Sequence, residues 1–241
     1  MKQLRTIACY EADAAKNLKP FAFLNFVQEL ANLDALNLGF GYDQLIEKES
    51  IWVLSRIKAV CVRPPVWRER VVIDTWHKGS DGIFSFRDFL ISTADEKEVL
   101  VRATSSWLII HTKTRRIQRP QHFFGPAAVQ QQPFRHALEK PCEKIPVPSH
   151  ELVFAETREV RYSDTDMNAH MNSAKYMEWA MDCLHKKQPV PQTTTSFQIN
   201  FNAEARFAQS VDLFTAAVEP QSRYVEGKRN GDSIFQALIT S

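Results

Sequence analysis

Residues 21–39, FAFLNFVQELANLDALNLG, carry the pattern that decides the fold. Apolar side chains recur there at steps of three and four, as at Phe23, Phe26 and Leu30, and Gly39 ends the series. This spacing predicts an amphipathic helix that stops at a glycine C-cap. Such a helix must bury its apolar face against another layer, so the segments around it decide the architecture.

Strand-like segments surround this helix. A short one lies before it at residues 6–10, and four follow it, separated by proline, glycine or charged turns. These four are residues 52–62, 71–77, 83–92 and 99–112.

The second part of the chain repeats the same order of elements. An extended segment at 156–162 leads through a polar loop to the helical stretch MNSAKYMEWAMDCL at 171–184, which Asn172 or Ser173 is expected to cap. Four strand-like segments follow at residues 195–202, 211–218, 222–226 and 233–240.

The repeat predicts an α+β fold made of two tandem copies, each with a long helix wrapped by a curved antiparallel sheet. A proline- and glutamine-rich stretch without apolar periodicity separates the copies and reads as a linker. We expect an N-terminal domain at 1–130, a linker at 131–150 and a C-terminal domain at 151–241.

Composition narrows the class of protein. The 241 residues are 44% hydrophobic and 24% charged, which is typical of a globular protein. No apolar run approaches the ~20 residues of a membrane-spanning helix, and the first residues lack the pattern of a signal peptide. The sequence predicts a cytoplasmic protein that does not cross a membrane.

Several kinds of site are disfavoured. The four cysteines form no C-x-x-C pair and the seven histidines no H-E-x-x-H motif, so we expect neither a metal site nor disulfides. No P-loop or G-x-G-x-x-G occurs, which argues against a nucleotide cofactor. The net charge of +2 is too small to suggest nucleic acid.

Polar groups are densest in residues 161–172, RYSDTDMNAHMN, just ahead of the second helix. Asp166, Asn168 and His170 are two residues apart, and in an extended loop such residues project to the same side. The free N–H groups of the following helix can stabilise an oxyanion. A carboxylate, a base and an oxyanion site are the parts that acyl transfer to water requires. A simple capping turn would have the same residue types and no chemistry.

Residues 164–179, DTDMNAHMNSAKYMEW, closely resemble the D-x-D-x-N-x-H-x-N-N-x-x-Y-x-x-W signature of acyl-acyl carrier protein thioesterases. Further similar stretches are NFVQELAN from Asn25, ATSSWLII from Ala103 and TRRIQRP from Thr114. The resemblance extends over nearly the whole chain. It implies two fused hotdog domains and hydrolysis of fatty acyl thioesters, without a cofactor.

The resemblance also implies a site. The family's catalytic aspartate, asparagine and histidine correspond to Asp166, Asn168 and His170, and its catalytic glutamate corresponds to Glu204. Plant members carry a cysteine directly after that glutamate, where this chain has Ala205.

Two mechanisms remain open at this stage. In the first, Asp166 attacks the thioester, and a water molecule that Glu204 activates then hydrolyses the resulting anhydride. In the second, Glu204 or His170 activates a water molecule that attacks the thioester directly, while Asp166 orients this water. In both, Asn168 and the helix N-terminus near Asn172 would polarise the carbonyl.

The implied partner is an acyl carrier protein with its phosphopantetheine-linked acyl chain. Phe23 and Phe26 are candidates to contact the acyl chain. Between Glu98 and Glu139 the sequence holds no acidic residue, and basic side chains there would attract an acidic partner. We expect Arg115, Arg116 and Arg119 to dock it.

Two other functions and the oligomeric state stay open. The chain could be a hotdog-class acyl-CoA thioesterase, or a non-hydrolytic acyl-binding protein. It could also act either as a monomer or as a homodimer, because the fusion already supplies two domains in one chain.

Overall fold

A computed structural model describes residues 1–124, 135–186 and 193–241. Contacts divide the chain into two compact units that interleave along the sequence. Unit 1 comprises Met1–Thr6, Asn25–Arg63 and Glu69–Cys142. Unit 2 comprises Ile7–Leu24, Pro64–Arg68 and Glu143–Ser241.

Unit 1 contains six strands and most of a long helix. The strands are β1 (Lys2–Thr6), β2 (Ser50–Cys61), β3 (Arg70–Asp81), β4 (Phe84–Thr93), β5 (Val99–His111) and β6 (Ile117–Gln118). The helices are α1 (Pro20–Asn37), which unit 1 includes from Asn25 onward, α2 (Tyr42–Ile46) and α3 (Gln121–Phe124). Neighbouring strands are antiparallel in the order β1, β3, β4, β5, β2, with β6 beside β5. Leu30 of α1 is fully buried, as are Ile73 and Phe89 of the sheet.

Unit 2 holds five strands and the helix α4 (Ser173–His185). The strands are β7 (Val153–Glu159), β8 (Ser196–Phe201), β9 (Ser210–Glu219), β10 (Ser222–Arg229) and β11 (Asp232–Thr240). They are antiparallel in the order β8, β11, β10, β9, β7. Gly227 lets the ring of Phe235 lie directly on β10, because a Cβ at this position would come within 2.3 Å of that ring.

The predicted α+β pattern of antiparallel strands and one long helix per copy is confirmed. The short segment predicted as a strand at 6–10 is different: β1 ends at Thr6, and Cys9–Glu11 form a 3-10 turn. The carboxylate of Glu11 accepts the backbone N–H of Ala8 at 2.8 Å, which favours this turn over an extended strand.

The stretch expected as a linker at 131–150 is described from residue 135. This part forms no helix or strand, yet it packs closely on unit 1. The Arg135 guanidinium lies 3.7 Å from the centre of the Trp76 ring, and the Trp76 indole donates to the Arg135 carbonyl at 3.0 Å. The N–H of Ala137 donates to the buried Asp88 carboxylate at 2.7 Å. Residues 135–138 are therefore held to the sheet of unit 1 rather than forming a loose tether.

Candidate active site

The polar loop of unit 2 begins with a 3-10 turn at Tyr162–Asp164. The buried Asp164 carboxylate accepts the N–H of Arg161 at 2.9 Å, and the Asp164 carbonyl accepts the N–H of Asn172 at 2.8 Å. The first aspartate of the D-T-D sequence therefore ties together the two ends of the loop. Its role is structural.

The second aspartate opens a tight hairpin. The Asp166 N–H donates to the His170 carbonyl at 2.9 Å, and the Asp166 carbonyl accepts the N–H of Ala169 at 3.0 Å. Ala169 has a φ of 58°, the left-handed conformation that closes a three-residue hairpin loop. Asp166 Oδ1 also accepts the N–H of Asn168 at 2.9 Å.

This hairpin differs from the extended loop that the sequence suggested for residues 166–170. Asp166 and His170 come together because they are paired across a hairpin, not because an extended loop alternates its side chains. The turn needs a left-handed residue between Asn168 and His170, and alanine gives no sequence signal for that conformation.

His170 and Glu204 form the central pair of the site. His170 Nε2 lies 3.2 Å from Glu204 Oε2, although the two residues are 34 positions apart in the sequence. The His170 side chain is 18% exposed and that of Glu204 26%. A carboxylate that receives a ring N–H fixes the orientation of the imidazole, and both groups remain partly exposed to solvent.

Asn172 caps α4, as the sequence predicted. Its Oδ1 accepts the N–H of Ala174 at 2.8 Å, and its carbonyl accepts that of Lys175 at 2.9 Å. With the N–H of Asn172 bonded to Asp164, these donors of the helix N-terminus are already engaged. The carboxamide of Asn168 is exposed and makes no hydrogen bond within the described ranges, so it is the donor best placed to meet a carbonyl oxygen.

The backbone next to Glu204 is held from several directions. The N–H of the fully buried Ala205 donates to Tyr176 Oη at 3.0 Å, and the Ala205 carbonyl accepts the N–H of Met171 at 2.8 Å. Arg229 Nη1 donates to the Glu204 carbonyl at 3.2 Å. Neither Tyr176 nor Arg229 was predicted as a site residue, although Tyr176 is the tyrosine of the signature motif.

The loop of unit 2 has a structural twin near the N-terminus. The Asp13 N–H donates to the Asn17 carbonyl at 2.8 Å, and the Asp13 carbonyl accepts the N–H of Lys16, whose φ is 69°. These bonds repeat the Asp166 hairpin with Asp13 in place of Asp166.

The twin lacks the remaining catalytic side chains. The hairpin register places Ala15, Asn17 and Pro64 where the other copy has an asparagine, a histidine and a glutamate. Of the four candidate catalytic side chains, the twin therefore retains the aspartate alone.

The remaining predicted residues lie outside this cluster of contacts. Phe23 is buried with its ring edge-on to Phe197 at 5.7 Å, and Phe26 is buried beneath the Arg5 guanidinium at 3.9 Å. The three arginines predicted to dock a partner are exposed, around the turn between β5 and β6; they are Arg115, Arg116 and Arg119.

Cys183 does not offer an alternative nucleophile. It is buried on α4, and its thiol donates to Glu156 at 3.5 Å. Burial raises the pKa of the Cys183 thiol to about 12, and the Glu156 charge adds to that effect, so the thiol stays protonated near neutral pH. Within the described ranges no three His, Cys, Asp or Glu side chains form a metal-binding group, and no helix is long and apolar enough to span a membrane.

Two family models match the chain: the acyl-ACP thioesterase N-terminal domain at residues 2–122 and the C-terminal domain at residues 149–238. The chain belongs to the acyl-ACP thioesterase family. The two matches leave residues 123–148 between them, a range that overlaps the linker expected at 131–150.

Relatives support this assignment. The chain is 27% identical over 230 residues to a chloroplast acyl-[acyl-carrier-protein] hydrolase of Cuphea viscosissima, covering 89% of this chain and 53% of the relative. It is 30% identical over 187 residues to a palmitoyl-acyl carrier protein thioesterase of Gossypium hirsutum, covering 73% of this chain and 45% of the relative. The chain thus spans about half the length of the curated relatives it matches.

Solved structures share the fold. An acyl-ACP thioesterase from Bacteroides thetaiotaomicron matches with a TM-score of 0.85 and 25% identity, covering 100% of this chain and 96% of the other. A 12:0-ACP thioesterase from Umbellularia californica matches with a TM-score of 0.84 and 22% identity over the same shares, which supports the fold alone. The tandem hotdog fold predicted for this acyl-ACP thioesterase family member is confirmed.

Proposed function

We propose that this protein hydrolyses the thioester of fatty acyl-acyl carrier protein, releasing a free fatty acid and the carrier thiol. The observation that carries the proposal is the 3.2 Å pair of His170 and Glu204 in the same unit as the Asp166 hairpin. Membership of the acyl-ACP thioesterase family supports the reaction class. A carboxylate and an imidazole–carboxylate pair are the groups that an acyl transfer to water needs.

In the proposed mechanism Asp166 is the nucleophile. One oxygen of its carboxylate accepts the Asn168 N–H, and the other makes no hydrogen bond within the described chain. That oxygen attacks the carbonyl carbon, the C–S bond breaks, and the leaving sulfur takes a proton through the His170–Glu204 pair. Water then returns a proton to this pair and attacks the anhydride, which releases the fatty acid and restores Asp166.

The exposed carboxamide of Asn168 stabilises the oxyanion in this scheme. The alternative scheme, direct attack by water with Asp166 as an orienting group, uses the same side chains. The two differ in one respect, because only the first forms a covalent acyl-enzyme.

We also propose how the substrate is bound. Phe23 and Phe26 of α1 provide apolar surface for the acyl chain. Arg115, Arg116 and Arg119 provide positive charge for the acidic carrier protein, which favours carrier-bound acyl groups over acyl-CoA. The support for docking is the exposure of all three arginines around β6, with Arg115 and Arg116 before this strand and Arg119 after it.

The first test is the Asp166→Asn substitution. Free thiol is measured after mixing the protein with acyl-carrier proteins and acyl-CoAs of several chain lengths. We expect the wild type to prefer carrier-bound substrates and Asp166→Asn to lose activity by about a thousandfold or more, because the reacting carboxylate is removed.

Asp13→Asn is the matched control, since it changes the equivalent aspartate of the N-terminal twin and should retain activity. Full activity of Asp166→Asn would refute both mechanisms. Equal or higher activity on acyl-CoA would favour a CoA thioesterase, and tight acyl binding without thiol release would favour an acyl-binding protein.

The second test separates the two mechanisms. With Glu204→Gln, hydrolysis of an anhydride on Asp166 should slow, so the acyl-enzyme accumulates. Rapid quenching followed by intact-mass measurement should show one added acyl group, which the double variant Glu204→Gln, Asp166→Ala lacks. Slow turnover by Glu204→Gln without any adduct would instead support direct attack by water.

A further inference from the structure

Glu204 lies on a short connection between β8 and β9, so its position depends on what holds the backbone there. Two hydrogen bonds clamp the backbone of the next residue: the Ala205 N–H donates to Tyr176 Oη at 3.0 Å, and the Ala205 carbonyl accepts the Met171 N–H at 2.8 Å. Met171 directly follows His170 in the loop. The clamp thus connects the segment of Glu204 to both α4 and the loop that carries His170.

Tyr176 is itself rigidly placed. It is 4% exposed, and its ring packs edge-on against Phe201 at 5.7 Å and Phe235 at 5.3 Å. Burial raises the pKa of Tyr176 to about 12, and the charges of Glu204 and Asp166 act in the same direction. The phenol therefore stays neutral at ordinary pH and is available as a hydrogen-bond partner for the Ala205 N–H.

We call the hairpin and the backbone hydrogen bond from Met171 to Ala205 the frame of the site. The N-terminal twin has the same frame without the hydrogen bond to a tyrosine. Phe23 and Tyr176 are each the fourth residue of their helix, since α1 begins at Pro20 and α4 at Ser173. The Leu18 N–H donates to the Pro65 carbonyl at 2.8 Å, just as Met171 donates to Ala205.

Phe23 thus replaces Tyr176, and Pro65 replaces Ala205. Phenylalanine has no hydroxyl and proline has no N–H, so the twin lacks both partners of the hydrogen bond. It nevertheless keeps the same hairpin and the same carbonyl contact. The bond is therefore not required to build the frame, and it is present in the copy that carries Glu204, whereas the copy with Pro64 lacks it.

We propose that Tyr176 is a positioning residue for catalysis: its hydroxyl holds the Ala205 peptide so that the preceding Glu204 carboxylate meets His170. This role rests on the proposed hydrolase function. Arg229, which donates to the Glu204 carbonyl at 3.2 Å, supports the same peptide from the other side.

The test is Tyr176→Phe, a substitution that the twin shows to be compatible with the frame. We expect kcat to fall by about tenfold to a hundredfold with KM nearly unchanged, because a displaced carboxylate impairs the reaction more than binding. Tyr224→Phe is the matched control. Tyr224 is a fully buried tyrosine of the same unit, and its hydroxyl accepts a hydrogen bond from Gln236 at 2.9 Å. The Tyr224→Phe substitution should lower the unfolding midpoint about as much as Tyr176→Phe does, and it should leave kcat unaltered.

A second substitution removes the same hydrogen bond from its other end. Ala205→Pro deletes the N–H, and Pro65 at the equivalent position shows that the backbone accepts proline. Both substitutions break the same hydrogen bond. The kcat of the double variant Tyr176→Phe, Ala205→Pro should therefore equal that of the less active single variant, instead of showing both losses multiplied together.

Each outcome has a distinct meaning. An unchanged kcat in Tyr176→Phe, an equal loss in Tyr224→Phe, or multiplied losses in the double variant would overturn the positioning role. A wild-type protein that releases no thiol from any acyl substrate would instead refute the hydrolase function on which the role depends.

Discussion

At the scale of single residues, a partly buried histidine is expected to make the stability of unit 1 depend on pH. His77 on β3 packs against Phe40, with ring centres 5.3 Å apart, near the buried ion pair of Arg87 and Asp34. Burial, followed by the Arg87 charge, lowers the pKa of His77 to about 4, while Asp34 opposes the shift. The folded protein therefore holds His77 neutral, whereas the unfolded chain protonates it near pH 6.5.

Between these two values the unfolded state binds more protons, so stability is lost as the pH falls from about 6.5 to about 4. A shift of this size corresponds to about 3 kcal/mol. We expect His77→Gln to show a flatter dependence of the unfolding free energy on pH in this window, measured by urea denaturation at several pH values. Parallel curves for the two proteins would show that His77 does not contribute.

Residue identities were easier to predict than residue geometry. The family resemblance predicted Asp166, His170 and Glu204 as the site residues, but their geometry depends on a left-handed alanine and on backbone contacts that no motif specifies. The sequence does not indicate the positioning role proposed for Tyr176, because this residue lies on the buried face of a helix, where packing alone explains an aromatic side chain. Its polar partner is a backbone N–H 29 positions away, which the sequence does not reveal.

At the scale of elements, periodicity predicted the long helices and most strands, because burial of one face leaves a regular apolar pattern. The short helices α2 and α3 span five and four residues, too few to show such a period. The packing of residues 135–138, within the expected linker, left no sequence signal for a different reason. Residues 135–138 are held by the buried carboxylate of Asp88 and by Lys78, which donates to the Leu138 carbonyl at 2.8 Å. Buried charges on a strand carry no signal of what they bind.

At the scale of the whole molecule, the duplication explains why one chain has two similar frames and one proposed site. Both copies keep the hairpin, the left-handed residue and the carbonyl contact, which are the features that the backbone needs. The side chains that chemistry needs occur together in the second copy. The first copy therefore carries the frame without the set of candidate catalytic side chains.

Exposed positive charge on unit 1 also affects how the whole molecule would meet a macromolecular substrate. Arg115, Arg116 and Arg119 are exposed on either side of β6, and clustered positive charge accelerates encounter with an acidic protein, most strongly at low ionic strength. Replacing all three by glutamate should lower kcat/KM for an acyl-carrier protein about tenfold or more at low salt, with little change for the same acyl-CoA. The difference should shrink as salt is added, because screening weakens the attraction.

The control replaces three exposed cations on separate strands by glutamate, which alters the net charge equally; these are Lys58, Arg70 and Arg223. Equal losses in the two triple variants would trace the effect to overall charge, and equal losses on both substrates would exclude docking by the arginine turn.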